Sequence, residues 1–148
     1  MSLEQTINND IKTAMLAKDK KSLDALRAIK SAILLLKTDK NIGEITPEIE
    51  ISTLQKMAKQ RKESAEMYKA QGRDDLYKEE LDQLDIISKY LPEQLNADEI
   101  KTQLQALISQ HGITSIKDMG RLMGIASKYF SGKADNKTIA EIVKSLLK

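Results

Sequence analysis

Apolar positions along this chain recur at helical spacing from its first residues onward, and helix start and stop signals separate them. Ser2 with Gln5 reads as a capping box, after which Leu3, Ile7, Ile11, Ala14 and Met15 form one stripe to about Ala17. Asp19 is placed to cap a second helix. There Leu23, Leu26, Ile29, Ile33 and Leu36 make a core face, which Ala25, Ala28, Ala32 and Leu35 widen until it covers much of the circumference. A helix so broadly apolar belongs at the centre of a bundle. After an aperiodic loop from Thr38 to Ile45, Thr46-Pro47 restarts the helix with a cap and a first-turn proline, and Glu48 and Glu50 sit where the helix dipole favours acids. Ile51, Leu54, Ala58, Ala65 and Tyr68 give this third helix an inner face, and Gly72 is placed to end it after about 25 residues. Asp74 is expected to cap a fourth helix, with Tyr77, Leu81, Leu84, Ile87 and Leu91 facing inward and Pro92 as its stop.

Beyond Leu91-Pro92 the periodic segments shorten, which marks a domain boundary there. Asn96 with Glu99 leads Ile100, Leu104, Leu107 and Ile108 into Gly112. Ser115 with Asp118 opens a sixth helix through Ile116, Met119, Met123, Ala126 and Phe130. Asp135 caps a seventh carrying Ile139, Ile142, Val143, Leu146 and Leu147. The expected architecture is all-α: about four helices in a bundle or hairpin arrangement over residues 1–92, then a small three-helix domain over residues 93–148. No internal repeat, low-complexity tract or strand-like alternation competes with it.

Composition narrows the chemistry. Among 148 residues there is no Cys, one His and five aromatics, so disulfides, thiolate metal sites, a Cys nucleophile and a multi-histidine metal centre are excluded. The apolar run Ile33-Leu34-Leu35-Leu36 is far short of the roughly 20 residues that span a bilayer, and no basic-then-apolar segment opens the chain. These features predict a cytoplasmic protein with no membrane association, no bound metal and no cofactor. His111, just before Gly112, reads as a helix C-terminal cap. No phosphate-binding Gly-rich loop, nucleophile elbow or metal-ligand spacing occurs, and no catalytic residue is assigned.

Charge is informative by position. Residues 1–92 carry 16 basic and 16 acidic side chains, whereas from His111 onward seven bases face three acids, a net +4. At about 100° per residue, Lys117, Arg121, Gly124 and Lys128 fall within roughly 60° of one another, opposite Met119, Met123, Ala126 and Phe130. Gly120 flanks this face. Ser131-Gly132-Lys133 leads into a last helix whose outer stripe bears Lys137, Lys144 and Lys148. Glycine costs roughly 1 kcal/mol inside a helix, so Gly120 and Gly124 call for a reason. Either a phosphate backbone approaches the bare helix between flanking cations, or small residues four apart let a second helix pack closely. A cationic face can also be plain solvated surface.

A second cluster lies on the third helix, where Lys56, Lys59, Arg61 and Lys62 stand against Asp74, Asp75, Glu79, Glu80, Asp82 and Asp85 of the fourth. Mutual neutralisation across an antiparallel pair is the simplest account. Arg61, inside the apolar stripe, is expected to be partly buried and paired with a carboxylate. An anion or partner site at Lys59, Arg61 and Lys62 is the alternative.

Six motifs in order resemble the YqeY family of small bacterial proteins along essentially the whole chain. They are Ser2-Leu3-Glu4-Gln5 with Asn9-Asp10-Ile11-Lys12, Lys59-Gln60-Arg61-Lys62-Glu63-Ser64, Gly72-Arg73-Asp74-Asp75-Leu76, Tyr90-Leu91-Pro92-Glu93-Gln94-Leu95, Lys117-Asp118-Met119-Gly120 with Met123-Gly124, and Gly132-Lys133-Ala134-Asp135. The family resembles the helical tail of the GatB subunit of tRNA-dependent amidotransferase. The resemblance implies a two-part helical protein associated with tRNA or a tRNA-handling enzyme, under a family label of carbon-nitrogen ligase activity with glutamine as amido-N-donor. Since the glutaminase and kinase steps of the amidotransferase belong to other domains, the expected role is a non-catalytic tRNA-associated accessory protein. Its contacts would be Lys117, Arg121, Gly124, Lys128, Gly132, Lys133 and Lys137. The alternative is a helical interaction module for an aminoacyl-tRNA synthetase or amidotransferase subunit. Where the family often has Asp-Gly, this chain has Asp135-Asn136. The scarcity of aromatics favours reading a folded RNA's shape and backbone over stacking on single strands.

Overall fold

In the computed structural model, which describes residues 2–147, every regular element is helical: α1 (Leu3–Leu16), α2 (Lys20–Thr38), α3 (Pro47–Ala70), α4 (Asp74–Ser88), α5 (Ala97–His111), α6 (Met119–Tyr129, preceded by a 3-10 turn at Ile116–Asp118) and α7 (Asn136–Leu146). The chain divides into two compact units, Met1–Leu91 and Pro92–Lys148.

In the first unit α2 packs against α1, α3 and α4, while α3 and α4 form a long antiparallel hairpin. One apolar cluster fills it, with Ile7, Ala14, Leu26, Ile29, Ile33, Leu54, Ala58 and Ile87 buried. The breadth of the α2 stripe overstates its burial, because Leu35 is 71% exposed and Leu34 45%. Three neighbours cover an arc of a helix, and these two leucines fall outside it.

Local chemistry fixes the helix ends. Ser2 and Gln5 form the reciprocal capping box, and Asp19 and Thr46 accept from the amides of Ser22 and Ile49. α3 closes in a paired turn: Gly72, at φ +71°, donates to Lys69 O, and Arg73 donates to Tyr68 O. Only a residue tolerant of left-handed backbone suits that position. Asp74 does not cap α4. The cap position is Arg73, whose side chain has no acceptor to offer and instead pairs with Asp75. Nor does α4 reach Pro92; it ends at Ser88, and Tyr90 and Leu91 turn back onto Ile87 and Ser88.

That turn aims the Tyr90 hydroxyl at α1, where it donates to the Asp10 carboxylate beside a cleft of about 210 Å3 that Thr13, Ser22 and Lys89 also line. Partial burial of the phenol, and then this hydrogen bond to an anion, raise the Tyr90 pKa above its usual 10.0.

In the second unit α5, α6 and α7 pack pairwise around Phe130, Ile100, Leu104, Leu122, Ile139 and Val143. The inward stripe of α6 is centred on Leu122, Ala126 and Phe130, one step round from the Met119 and Met123 that flank it. Ile116, expected to face inward, lies on the 3-10 turn and is 51% exposed.

A phenol whose pKa rises on folding stabilises the folded state fully below its unfolded pKa, and that contribution drains away as pH climbs past 10.0. In urea titrations the wild type therefore loses stability across this range more steeply than Tyr90→Phe, which has no proton to release. Equal losses would show that the Tyr90–Asp10 bond does not contribute.

Candidate nucleic-acid interface

The cationic surface is built on α6, the turn after it and the start of α7. Opposite the buried Leu122, Ala126 and Phe130 stand Arg121, Gly124 and Lys128, all exposed, and Lys117 is exposed on the 3-10 turn ahead of them. Lys133 projects from the following turn, and Lys137 lies in the first turn of α7. Ser127 Oγ donates to Asn136 Oδ1 at 3.4 Å, which joins the end of α6 to the start of α7. Among the described residues none of Lys117, Arg121, Lys128, Lys133 and Lys137 enters an ion pair. Among the described residues no carboxylate lies within 4.0 Å of any of them. Lys144 is exposed on α7; Lys148, which the pattern places beside it, lies outside the described residues.

The two helix glycines are bare. A Cβ built on Gly120 or Gly124 would meet nothing within 4 Å, so no neighbouring helix uses the missing side chains for close packing. Gly120 sits in the first turn of α6, where the cost is small. Gly124 is in its middle, on the outward face, and carries the full helix penalty with no packing to offset it.

Gly132 belongs to the scaffold and not to the surface. It is buried at φ +79°, and its carbonyl accepts from Gln94 Nε2 at 2.7 Å. Leu95 N–H donates to Lys133 O at 3.0 Å. Expectation is corrected here: the glycine holds the turn's left-handed backbone while Lys133 presents the charge. Gln94 and Leu95, which hold that turn from the N-terminal edge of the unit, were invisible to spacing arguments because they are 38 residues from their partners. Asp135 caps α7 by accepting from Thr138 N–H at 2.7 Å, and Asn136 occupies the first helical position without a positive φ. The departure from Asp-Gly therefore costs the backbone nothing.

The second charge cluster does not assemble. Arg61, half-buried, meets Glu80 Oε2 at 3.0 Å and lies 3.5 Å from Gln83 Oε1, so it is the paired cation of the α3–α4 interface. Lys59 and Lys62 are exposed and lie well away from Arg61 around α3. Among the described residues, ion pairing between α3 and α4 thus rests on Arg61–Glu80, and Asp82 finds its partner on α2, with Lys21 Nζ at 3.2 Å. Among the described residues, no group of three or more His, Asp or Glu side chains is arranged to hold a metal ion, and no helix is long and apolar enough to cross a membrane.

Fold and surface define a class: a small all-helical protein of two units whose second unit presents a glycine-centred cationic face. The chain belongs to the YqeY-like protein family, which it matches over residues 4–147. Relatives include proteins named "Altered inheritance of mitochondria protein 41, mitochondrial". That of Saccharomyces cerevisiae is 34% identical over 116 residues, covering 72% of this chain and 60% of its own length. That of Clavispora lusitaniae is 37% identical over 91 residues, 61% of this chain and 52% of its own. That of Meyerozyma guilliermondii is 39% identical over 87 residues, 58% and 44%. The chain thus spans about half the length of these curated relatives. Their names overturn the expectation of a cytoplasmic location. Absence of cysteine argues only against an oxidising compartment and does not distinguish one reducing compartment from another. Their yeast sources likewise lend no support to a specifically bacterial protein.

Because nothing meets a Cβ at position 124, Gly124→Ala stabilises the protein by about 0.5–1 kcal/mol through helix propensity alone. Chemical denaturation measures this. A loss of stability would mean that the glycine serves packing after all.

Proposed function

We propose that the second unit binds the phosphate backbone of a folded RNA, tRNA being the first candidate, and that the protein serves as a non-catalytic accessory to tRNA handling. The observation that carries this reading is the bare Gly124 amid unpaired cations. An exposed glycine that no neighbour requires, with Arg121 and Lys128 on the same face and Lys117 just ahead, lets a polyanion reach the helix surface. The resemblance of the family to the tail of an amidotransferase subunit supports the same assignment. The carbon-nitrogen ligase label is read as inherited by association with the larger enzyme, since function resides in sites and not in folds.

About five phosphate contacts give a dissociation constant of about 10⁻⁴ to 10⁻⁶ M at physiological salt, and a log–log salt slope of roughly −3.5 to −4.5. Lys117→Glu combined with Arg121→Glu flattens that slope by about 2 and markedly weakens the tRNA mobility shift. Gly124→Leu folds normally but weakens the shift. Unchanged tRNA binding in the double variant would sink the proposal. With tRNA, ATP and glutamine supplied, the pure protein releases no glutamate; release would instead assign it an autonomous amide-transfer activity.

A further inference from the structure

The second unit has two large apolar side chains that are more than half exposed, Ile116 at 51% and Tyr129 at 52%, and they border the cationic face of α6 at its two ends. Tyr129 is the more informative. Of the five aromatics, Phe130 is fully buried and Tyr68, Tyr77 and Tyr90 are partly buried. Two of those tyrosines have evident partners within the fold: Lys69 Nζ lies 5.7 Å from the Tyr77 ring centroid, and Tyr90 donates to Asp10. Tyr129 alone is exposed, and among the described residues its hydroxyl has no hydrogen-bond partner.

Its ring is nevertheless held. Tyr129 meets Phe130 edge-to-face, with centroids 4.9 Å apart and planes at 82°. Phe130 is immobilised in the core at 0% exposure. An exposed ring braced against a fixed one loses little freedom when a planar ligand stacks on it. At helical spacing Tyr129 follows Lys128 by one position, so the order around the outer surface of α6 runs Gly124, Lys128, Arg121, Ile125, Tyr129. The ring thus stands at the C-terminal end of the helix, about 100° round from Lys128 and beyond Ile125 at the edge of the cationic face.

We propose that Tyr129 stacks one unpaired nucleobase beside the backbone gripped by α6, so that the ligand is an RNA in which a helical segment adjoins an unpaired base. This rests on the RNA-binding reading of the same surface and adds to it the class of RNA. One ring, unaccompanied by further exposed aromatics, does not make a track for single strands. It reads a single splayed base next to a duplex, the kind of element in which RNA sequence becomes accessible.

The test compares tRNA with a blunt, fully paired RNA duplex at several salt concentrations, using wild type, Tyr129→Ala, Tyr129→Leu and Tyr129→Phe. The alanine and leucine variants weaken tRNA binding roughly 5- to 150-fold, leave the salt slope unchanged and bind the duplex as wild type does. The phenylalanine variant stays close to wild type on both. The leucine variant keeps an apolar side chain against Phe130, and its thermal unfolding confirms that the fold is intact. If the leucine variant binds tRNA like wild type, or loses tRNA and duplex equally, the stacking proposal is overturned. If wild type binds neither RNA, the backbone reading falls with it. If Lys117→Glu with Arg121→Glu markedly weakens binding while every Tyr129 variant binds as wild type does, only the stacking proposal falls.

Discussion

The cationic surface depends on a pair of hydrogen bonds that carry none of its charge. Gln94 and Leu95 reach the carbonyls of Gly132 and Lys133 and so hold the turn between α6 and α7 to the N-terminal edge of the second unit. These polar groups bridge segments 38 residues apart in sequence. With the turn held, Phe130 stays locked beneath it and Asp135 can cap α7. The tie thus fixes the backbone of the turn from which Lys133 projects, between the two helices that carry Lys128 and Lys137.

Much of the fold was legible because helices announce themselves locally. The caps at Ser2, Asp19, Thr46, Asn96 and Asp135 all place side-chain oxygens on nearby amides, and each was readable from residues three or fewer positions apart. Where the reading missed, a longer-range fact had intervened. Asp74 looked like a cap, but the left-handed turn at Gly72 starts α4 one residue too early for its side chain to serve. Leu35 and Ile116 looked like core residues, yet how many neighbours a helix has is not encoded in its own periodicity.

The site was legible in part for the same reason. Opposing faces of α6 follow from 3.6-residue geometry, so the outward stance of Arg121, Gly124 and Lys128 could be anticipated. Whether the helix glycines served packing could not, because that depends on what lies opposite, and only the three-dimensional arrangement shows the space to be open. Gly132 went the other way. Read beside Lys133 it resembled part of the contact surface, whereas its positive φ and buried carbonyl make it the hinge-pin of the turn. Arg61 was distinguishable from its neighbours Lys59 and Lys62 by position within an apolar stripe, which is why its pairing with Glu80 could be expected while the two lysines remain solvated.

The tight closure of α3 at Gly72 bears on how the molecule comes to be folded at all. α3 and α4 are joined by three residues, α1 and α2 by an equally short link, and the helices that touch are mostly neighbours in sequence. Few long loops must be closed before contacts begin to repay the entropy of ordering. A predominance of contacts between successive helices favours rapid folding of each unit. A chain with that property spends little time with its apolar stripes uncovered, and is correspondingly protected from aggregation while newly made.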